Sequence, residues 1–404
     1  MILSSKSAVN TTSWLFLAIY VFACILFWWL PELLLWLVAG IPTSLAPWTI
    51  WVSILALSVF VLGYLMPQPA IRGPFVAIET LDTCEQYLYR AALLWAIPAF
   101  GFALQFGIYR WNLEYGAGDR IPILHQAVLY VHLFLGFMFL SVANDAPKNR
   151  RRIWIVAAVI ILPRLFISLH WGRFYVAQAI VPIVLIGLAR GWLRPSSRRL
   201  LQLSILGLAI IFVPAMTRGD RLFGTTASGQ YAILHFFSAG DTLSFLQENR
   251  NLPWSCPPLL ISFTEKVIPY STLDLCTVNV GDAKHVPAAI DVLLTRQYSD
   301  DLLLGSGGNY LLELYITGGI PAIVIGTILF AVSCRRFVAW IGHRSLYAGI
   351  WAECLSRALF APRGTLGYVY ERIPSLMIAT LAAVVIFKSA AILQQPVHSN
   401  SAIR

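Results

Sequence analysis

The stretch Ile153–Leu193, IWIVAAVIILPRLFISLHWGRFYVAQAIVPIVLIGLARGWL, decides the fold. It reads as two apolar runs, 153–170 and 174–193, joined by the short turn His170–Arg173. A helix needs about 20 predominantly apolar residues to cross a bilayer, and each run approaches that length. A soluble α/β core does not carry two such runs back to back. The pair is read as a transmembrane hairpin.

The rest of the chain repeats this pattern. Hydrophobic residues make up 58% of the 404 and charged residues 12%, with a mean hydropathy of +0.72. A soluble domain carries about 25% charged residues, so too few remain here to coat a water-facing surface. Apolar windows predict further spans at 13–38, 47–66, 87–108, 122–143, 200–215, 308–332, 345–361 and 374–393. Pro31 and Glu32 interrupt the first, which then reads as one span followed by an interfacial turn. The expected fold is an all-α integral membrane protein of about ten transmembrane helices. It forms a single polytopic domain (1–404) with one large hydrophilic loop, 217–304, between spans seven and eight. The segment before the first apolar run is short and polar, and the run is long enough to span. A retained anchor is therefore expected rather than a cleaved signal peptide.

The formal net charge is +10, but its placement argues against nucleic acid. Lys148 and Arg150–Arg152 follow the fourth span. Arg190, Arg194, Arg198 and Arg199 follow the sixth, and Arg335, Arg336 and Arg344 the eighth. Short loops rich in Lys and Arg face the cytoplasm, which puts both termini inside and the large loop outside. No metal-ligand spacing, nucleotide-binding loop or internal repeat is visible, and no cofactor is expected. Cys24, Cys84, Cys334 and Cys354 fall in spans or on the inner side and read as reduced thiols. Cys256 and Cys276 share the outer loop. There they either close a disulfide in an oxidising compartment or stay two thiols.

Arginines also stand on the outward side, where this rule disfavours them. Arg164 lies near the outer end of the fifth span. His170 and Arg173 occupy the outward turn, and Arg218 and Arg221 open the large loop. Arg357 lies in the ninth span, and Arg363 and Arg372 flank the turn after it. An arginine at membrane depth costs about 2.5–3.5 kcal/mol on insertion scales, so it is usually paired or functional. Planar guanidinium groups suit bidentate phosphate recognition, so a convergent set fits a lipid pyrophosphate. The alternative for each is an interfacial side chain reaching water or pairing with a carboxylate.

A second constellation is Gly305–Ala322, GSGGNYLLELYITGGIPA. Its glycines allow backbone to approach a ligand closely. Asn309 and Glu313 are one turn apart and share a helix face, with Tyr310 beside them. A buried Glu313 suits general-base work on a sugar hydroxyl; its alternative is a structural pair with an arginine. Gly318, Gly319 and Pro321 read as a kink or a close helix contact.

This segment resembles the stretch entering a late helix of Wzy-type O-antigen and oligosaccharide repeat-unit polymerases. The run from Gly172, GRFYVAQAIVPIVLIGL, looks like that family's Arg-led helix after an outward turn. The resemblance implies a glycosyltransferase in the bacterial inner membrane that joins undecaprenyl-pyrophosphate-linked repeat units at the periplasmic face. Lipid-linked donor and acceptor would be its substrates, and a separate chain-length regulator its partner. Arg164, Arg173, Arg218, Arg221 and Arg363 would stabilise the leaving pyrophosphate without a metal. Glu313 would orient or deprotonate the acceptor. Tyr231, His235 and Trp254 in the outer loop would hold sugars. The related O-antigen ligases carry a His immediately before the Asn-x-Tyr-Leu pattern. Gly308 stands there in this chain, leaving Glu313, Asp300 or Asp301 as base. A ligase-like transferase and a flippase or other transporter of lipid-linked oligosaccharide are the alternatives.

Overall fold

The computed structural model describes residues 5–39, 47–67, 78–110, 123–170, 174–193, 196, 309–364, 366–370, 373, 377 and 378. The large loop 217–304, the expected span at 200–215, all of the expected span at 374–393 but residues 377 and 378, and both outer-loop cysteines lie outside the described residues. The elements are α1 (Ser5–Trp28), α2 (Leu30–Ala39), α3 (Pro47–Leu65), α4 (Ile78–Arg110), α5 (Ile123–Val142), α6 (Pro147–His170) and α7 (Phe174–Ala189). They continue with α8 (Tyr310–Ile341), α9 (Ala348–Ala358), a 3-10 turn (Ala361–Arg363) and α10 (Leu366–Tyr370).

Stretches within α1, α3, α4 and α8 are each long and apolar enough to cross a membrane: Val9–Trp28, Pro47–Leu65, Leu81–Gln105 and Thr317–Ile341. Shorter apolar runs, Ala127–Val142 and Val176–Ala189, lie in α5 and α7. The protein is a helical membrane protein, as the composition requires. Trp14, Trp51, Leu62, Ile97, Leu329 and Ile378 stand more than 60% exposed on the bundle's outside. Water would penalise that surface; lipid does not. Prolines occur inside α4, α6 and α7 (Pro98, Pro163, Pro182), where neighbouring helices and local adjustments satisfy the freed backbone groups.

The bundle is organised around aromatic packing between α1, α3 and α8. Tyr20 stacks on Phe60 at 3.8 Å between ring centroids, and Phe330 approaches Phe60 at 5.6 Å. α4 packs on α5 and α6, while α7 packs on α6 and α9. Cys24, Cys84, Cys334 and Cys354 are buried free thiols, as expected.

The basic segments gather at one end. Arg190 donates to the carbonyls of Ser141 and His343. Arg344 donates to the Val142 carbonyl and pairs with Asp82 and, at 3.1 Å, with Glu85. The Trp192 indole donates to Asp145. The loops after α5, α7 and α8 therefore share an end, as the charge pattern predicts. Two details differ. Arg150–Arg152 form the first turns of α6, and Arg335 and Arg336 belong to α8, which runs nine residues past the expected end at 332. A hydropathy window stops at the first charges, but the backbone keeps its helical hydrogen bonds into the polar interface.

The expected ninth span is a larger correction. α9 has 11 residues, about 16 Å of helix, against a hydrocarbon core of about 30 Å. It then turns through the buried residues Ala361 and Pro362 and comes back as α10. Trp351 near its start stacks on Phe337 at 4.9 Å, and Tyr370 at the end of α10 meets the same ring at 6.4 Å. Segment 348–370 is thus a short helical hairpin rather than one continuous helix of spanning length. Glu353, Ser356 and Arg357, all buried, sit where a lipid-crossing helix would carry apolar residues.

Candidate functional site

α8 begins with a cap built by its own sequence. Asn309 is extended (φ −111°, ψ 131°), and its side chain accepts a hydrogen bond from the Leu311 amide, at 3.0 Å. Its carbonyl accepts from Leu312 at 2.9 Å. An Asn in this position satisfies amides that the first helical turn leaves open. Glu313, in that same first turn, lies where the helix dipole favours negative charge.

The helix then breaks. Gly318 is extended, and Gly319 has φ 65° and ψ −152°, a backbone region essentially restricted to glycine. Beyond the break the chain folds back on itself. The Tyr310 and Phe330 rings stand 5.5 Å apart; along a straight helix these positions would be about 30 Å apart. The Leu314 side chain occupies the space that a Cβ on Gly326 would need. Residues 310–317 therefore form a short arm descending beside 320–341, and Gly326 is the hole that receives it. Gly318, Gly319 and Pro321, read from the sequence as a kink or a close helix contact, stand where the chain reverses.

This arm is sealed in protein. Asn309, Tyr310, Leu311, Leu312 and Glu313 are each 0% exposed. The Tyr20 hydroxyl donates to the Tyr310 hydroxyl at 3.2 Å. One carboxylate oxygen of Glu313, Oε2, accepts the Leu366 amide at 2.8 Å, and the Trp28 indole donates to the Pro362 carbonyl at 2.9 Å. The two hairpins, 310–341 and 348–370, thus meet at Glu313. The junction residue on the second hairpin, Leu366, lies three residues past the end of the turn Ala361–Arg363.

The site residues predicted from the sequence divide accordingly. Asn309, Tyr310 and Glu313 come together, and the turn that carries Arg363 lies against them. Ala361 and Pro362 of that turn are buried. Arg357 is buried and donates through Nε and Nη2 to Glu353 Oε1 at 3.3 and 3.1 Å. Arg164 is 2% exposed. Its Nη2 donates to the Leu129 carbonyl at 3.0 Å, and its guanidinium lies 5.1 Å from the centre of the Tyr130 ring. Both arginines are embedded in the bundle, where such groups require polar partners. His170 closes α6. Arg173, Arg218, Arg221, Arg372, Asp300, Asp301, Tyr231, His235 and Trp254 lie outside the described residues.

Sequence reading passed over two participants. Glu353 is Arg357's partner, and its signal was available: opposite charges four residues apart in an apolar run. Leu366 contributes only a backbone amide, for which no side-chain signal exists. Among the described residues no group of three His, Cys, Asp or Glu could hold a metal ion. Comparison of the chain with protein-family models, with curated proteins and with solved structures found no match.

Proposed function

We propose that this chain is a membrane-embedded glycosyltransferase that joins undecaprenyl-pyrophosphate-linked repeat units, transferring the growing glycan from its undecaprenyl pyrophosphate to a sugar hydroxyl of a new lipid-linked unit. The observation that carries the reading is the junction at Glu313: a carboxylate enclosed by apolar helices, held at 2.8 Å by the Leu366 amide and set beside the turn that carries Arg363. It falls inside the segment 305–322, on which the resemblance to O-antigen polymerases rests.

In this mechanism a hydroxyl of the acceptor sugar attacks the anomeric carbon of the donor. The new glycosidic C–O bond forms as the bond from that carbon to the pyrophosphate oxygen breaks. Glu313 takes the hydroxyl proton, and undecaprenyl pyrophosphate leaves with the bonding electrons. The Leu366 amide fixes one carboxylate oxygen, which orients the group without neutralising it. Arginines at the site balance the charge that develops on the leaving pyrophosphate. Arg363 is the candidate nearest along the chain to the junction, with Arg173, Arg218, Arg221 and Arg372 as further candidates.

Deletion of the gene tests this reading. Gels of extracted lipopolysaccharide are expected to show lipid A core capped with a single repeat unit. Core with no repeat unit at all would overturn polymerisation in favour of ligation or translocation.

One observation favours a rival. Reversed and short helices within a membrane bundle also build transporters, whose discontinuous helices hold substrates and ions. A transporter of lipid-linked oligosaccharide would move labelled single-unit lipid between leaflets of sealed vesicles without lengthening it. A polymerase would lengthen it.

A further inference from the structure

α4 changes character along its exposed side. Between Asp82 and Arg90 the exposed residues are Asp82, Thr83, Gln86, Tyr87 and Arg90. Immediately beyond, they are Leu94, Trp95 and Ile97, with Leu94 at 67% and Ile97 at 72% exposed. A helix surface that turns from polar to apolar within one turn marks where it passes from headgroups into hydrocarbon. Arg90 is the last polar residue before that boundary.

Neighbouring groups place Arg90 at the same level. The Arg152 guanidinium of α6 lies 5.3 Å from the centre of the Tyr89 ring, and Trp154 on α6 is half exposed, as interfacial tryptophans are. Arg150 and Arg151 stand exposed on the preceding residues of α6. Acid on this face is largely committed: Asp82 pairs with Arg344. Along α4 runs a shallow, open groove of about 340 Å³ whose lining residues, Asp82, Thr83, Gln86, Tyr87 and Arg90, all belong to that one helix. Among the described residues Arg90 has no hydrogen-bond or ion-pair partner.

We infer that this groove holds the phosphate of an anionic phospholipid from the leaflet at the basic end, with Arg90 as its principal ligand and Gln86 and Tyr87 lining the seat. A guanidinium at the edge of hydrocarbon is costly unless it reaches an anion, and a phospholipid phosphate stands at that depth. The planar fork of arginine matches a phosphate bidentately. The acyl chains continue along Leu94 and Ile97, so the polar and apolar parts of one lipid match successive turns of one helix. Charge complementarity selects an anionic over a zwitterionic headgroup. This inference is independent of the glycosyltransferase reading, because none of its residues belongs to the junction at Glu313.

The test uses the full chain in nanodiscs of equal parts phosphatidylglycerol and phosphatidylcholine, released into the gas phase for native mass spectrometry. The wild type should retain a discrete one-lipid adduct that is predominantly phosphatidylglycerol. Arg90→Gln should reduce that preference about fivefold, the effect of one arginine near a membrane surface. Arg90→Lys should lose part of it, and Arg150→Gln should leave the discrete adduct in place. Equal losses in Arg90→Gln and Arg150→Gln would show diffuse attraction and overturn the site. Displacement of the adduct by millimolar inorganic phosphate would make it a site for a soluble anion, and would overturn the lipid assignment. If Arg90→Gln does not fold, Gln86→Ala and Tyr87→Phe decide the matter: weakened retention sustains the groove, and unchanged retention removes it.

Discussion

The two places where this bundle concentrates polar contacts are built on opposite plans. At the basic end, arginines reach across the ends of helices. Arg190 and Arg344 take up carbonyls of Ser141, Val142 and His343, and Arg335 donates to the carbonyls of Tyr64 and Met66 at the end of α3. The charges there remain partly wet: Arg344 is 20% exposed and Asp82 59%. At the junction of the two hairpins the polar groups are dry: Asn309, Tyr310 and Glu313 are fully buried, and Glu313 takes the Leu366 amide on one carboxylate oxygen. One end uses charge to close helices, whose last carbonyls have no partner inside the helix. The other keeps a carboxylate where water does not reach. Basic residues that signal topology in the sequence are thus also helix caps. The residue read as chemical takes a backbone amide, that of Leu366, on one of its oxygens.

That contrast predicts different responses to substitution. The largest effect belongs to the junction. Glu313→Gln keeps an acceptor for the Leu366 amide but cannot take a proton, so glycan longer than one repeat unit should vanish while the protein is still inserted and monodisperse. A normal lipopolysaccharide ladder from this variant removes Glu313 from the chemistry.

Next comes the buried pair of the second hairpin. Glu353→Ala removes the buried carboxylate paired with Arg357 and should cost about 3–5 kcal/mol, read as loss of folded protein in detergent. Replacing both residues by Leu should recover much of that stability. If the double variant is no better than the single one, the pair does more than neutralise itself.

The reversal in α8 should be moderate. Gly319→Ala forces a side chain into the φ 65° conformation and should destabilise by about 1–3 kcal/mol. Gly318→Ala, where the backbone is extended, lacks that penalty. Thermal unfolding of the two variants side by side checks the difference.

The smallest effects should come from the basic end. Asp82→Asn removes an ion pair that water screens, with Asp82 59% exposed, so at most about 1 kcal/mol is expected, with glycan length unchanged. A large loss of activity from Asp82→Asn would erase the distinction between the ends.

How legible this arrangement is in the sequence depends on the kind of signal. The expected span 122–143 matches α5, Ile123–Val142, because hydropathy reports directly on burial in lipid. The one-turn relation of Asn309 and Glu313 is equally local, and the structure keeps it. The reversal at Gly318–Gly319 is different. A hydropathy window records how far an apolar run extends, not whether it turns back, and GG-I-P is compatible with a kink, a close contact or a reversal. α9 shows the same limit from another side. The window 345–361 averages Glu353 and Arg357 with their apolar neighbours, and reads as a crossing when the pair can shelter only inside protein. The meeting of Glu313 with Leu366 depends on a backbone amide 53 residues away, a relation that no local pattern encodes.

The break in α8 has a consequence for angular phase. An unbroken helix ties every side chain to the same rotation of 3.6 residues per turn, so turning one face turns them all. Below the break, α8 alternates Ile323, Thr327, Phe330, Ala331 and Cys334 inward with Ile325 and Leu329 outward. Above it, Asn309 to Leu314 are buried without interruption. Gly319 lets the two segments take different rotations: the arm buries every residue from Asn309 to Leu314 while the long helix keeps one face for lipid. The two phases are then tied not by a shared helix but by one contact, Leu314 seated at Gly326, so a residue inserted between the reversal and Gly326 would misplace the notch and with it the arm that carries Glu313.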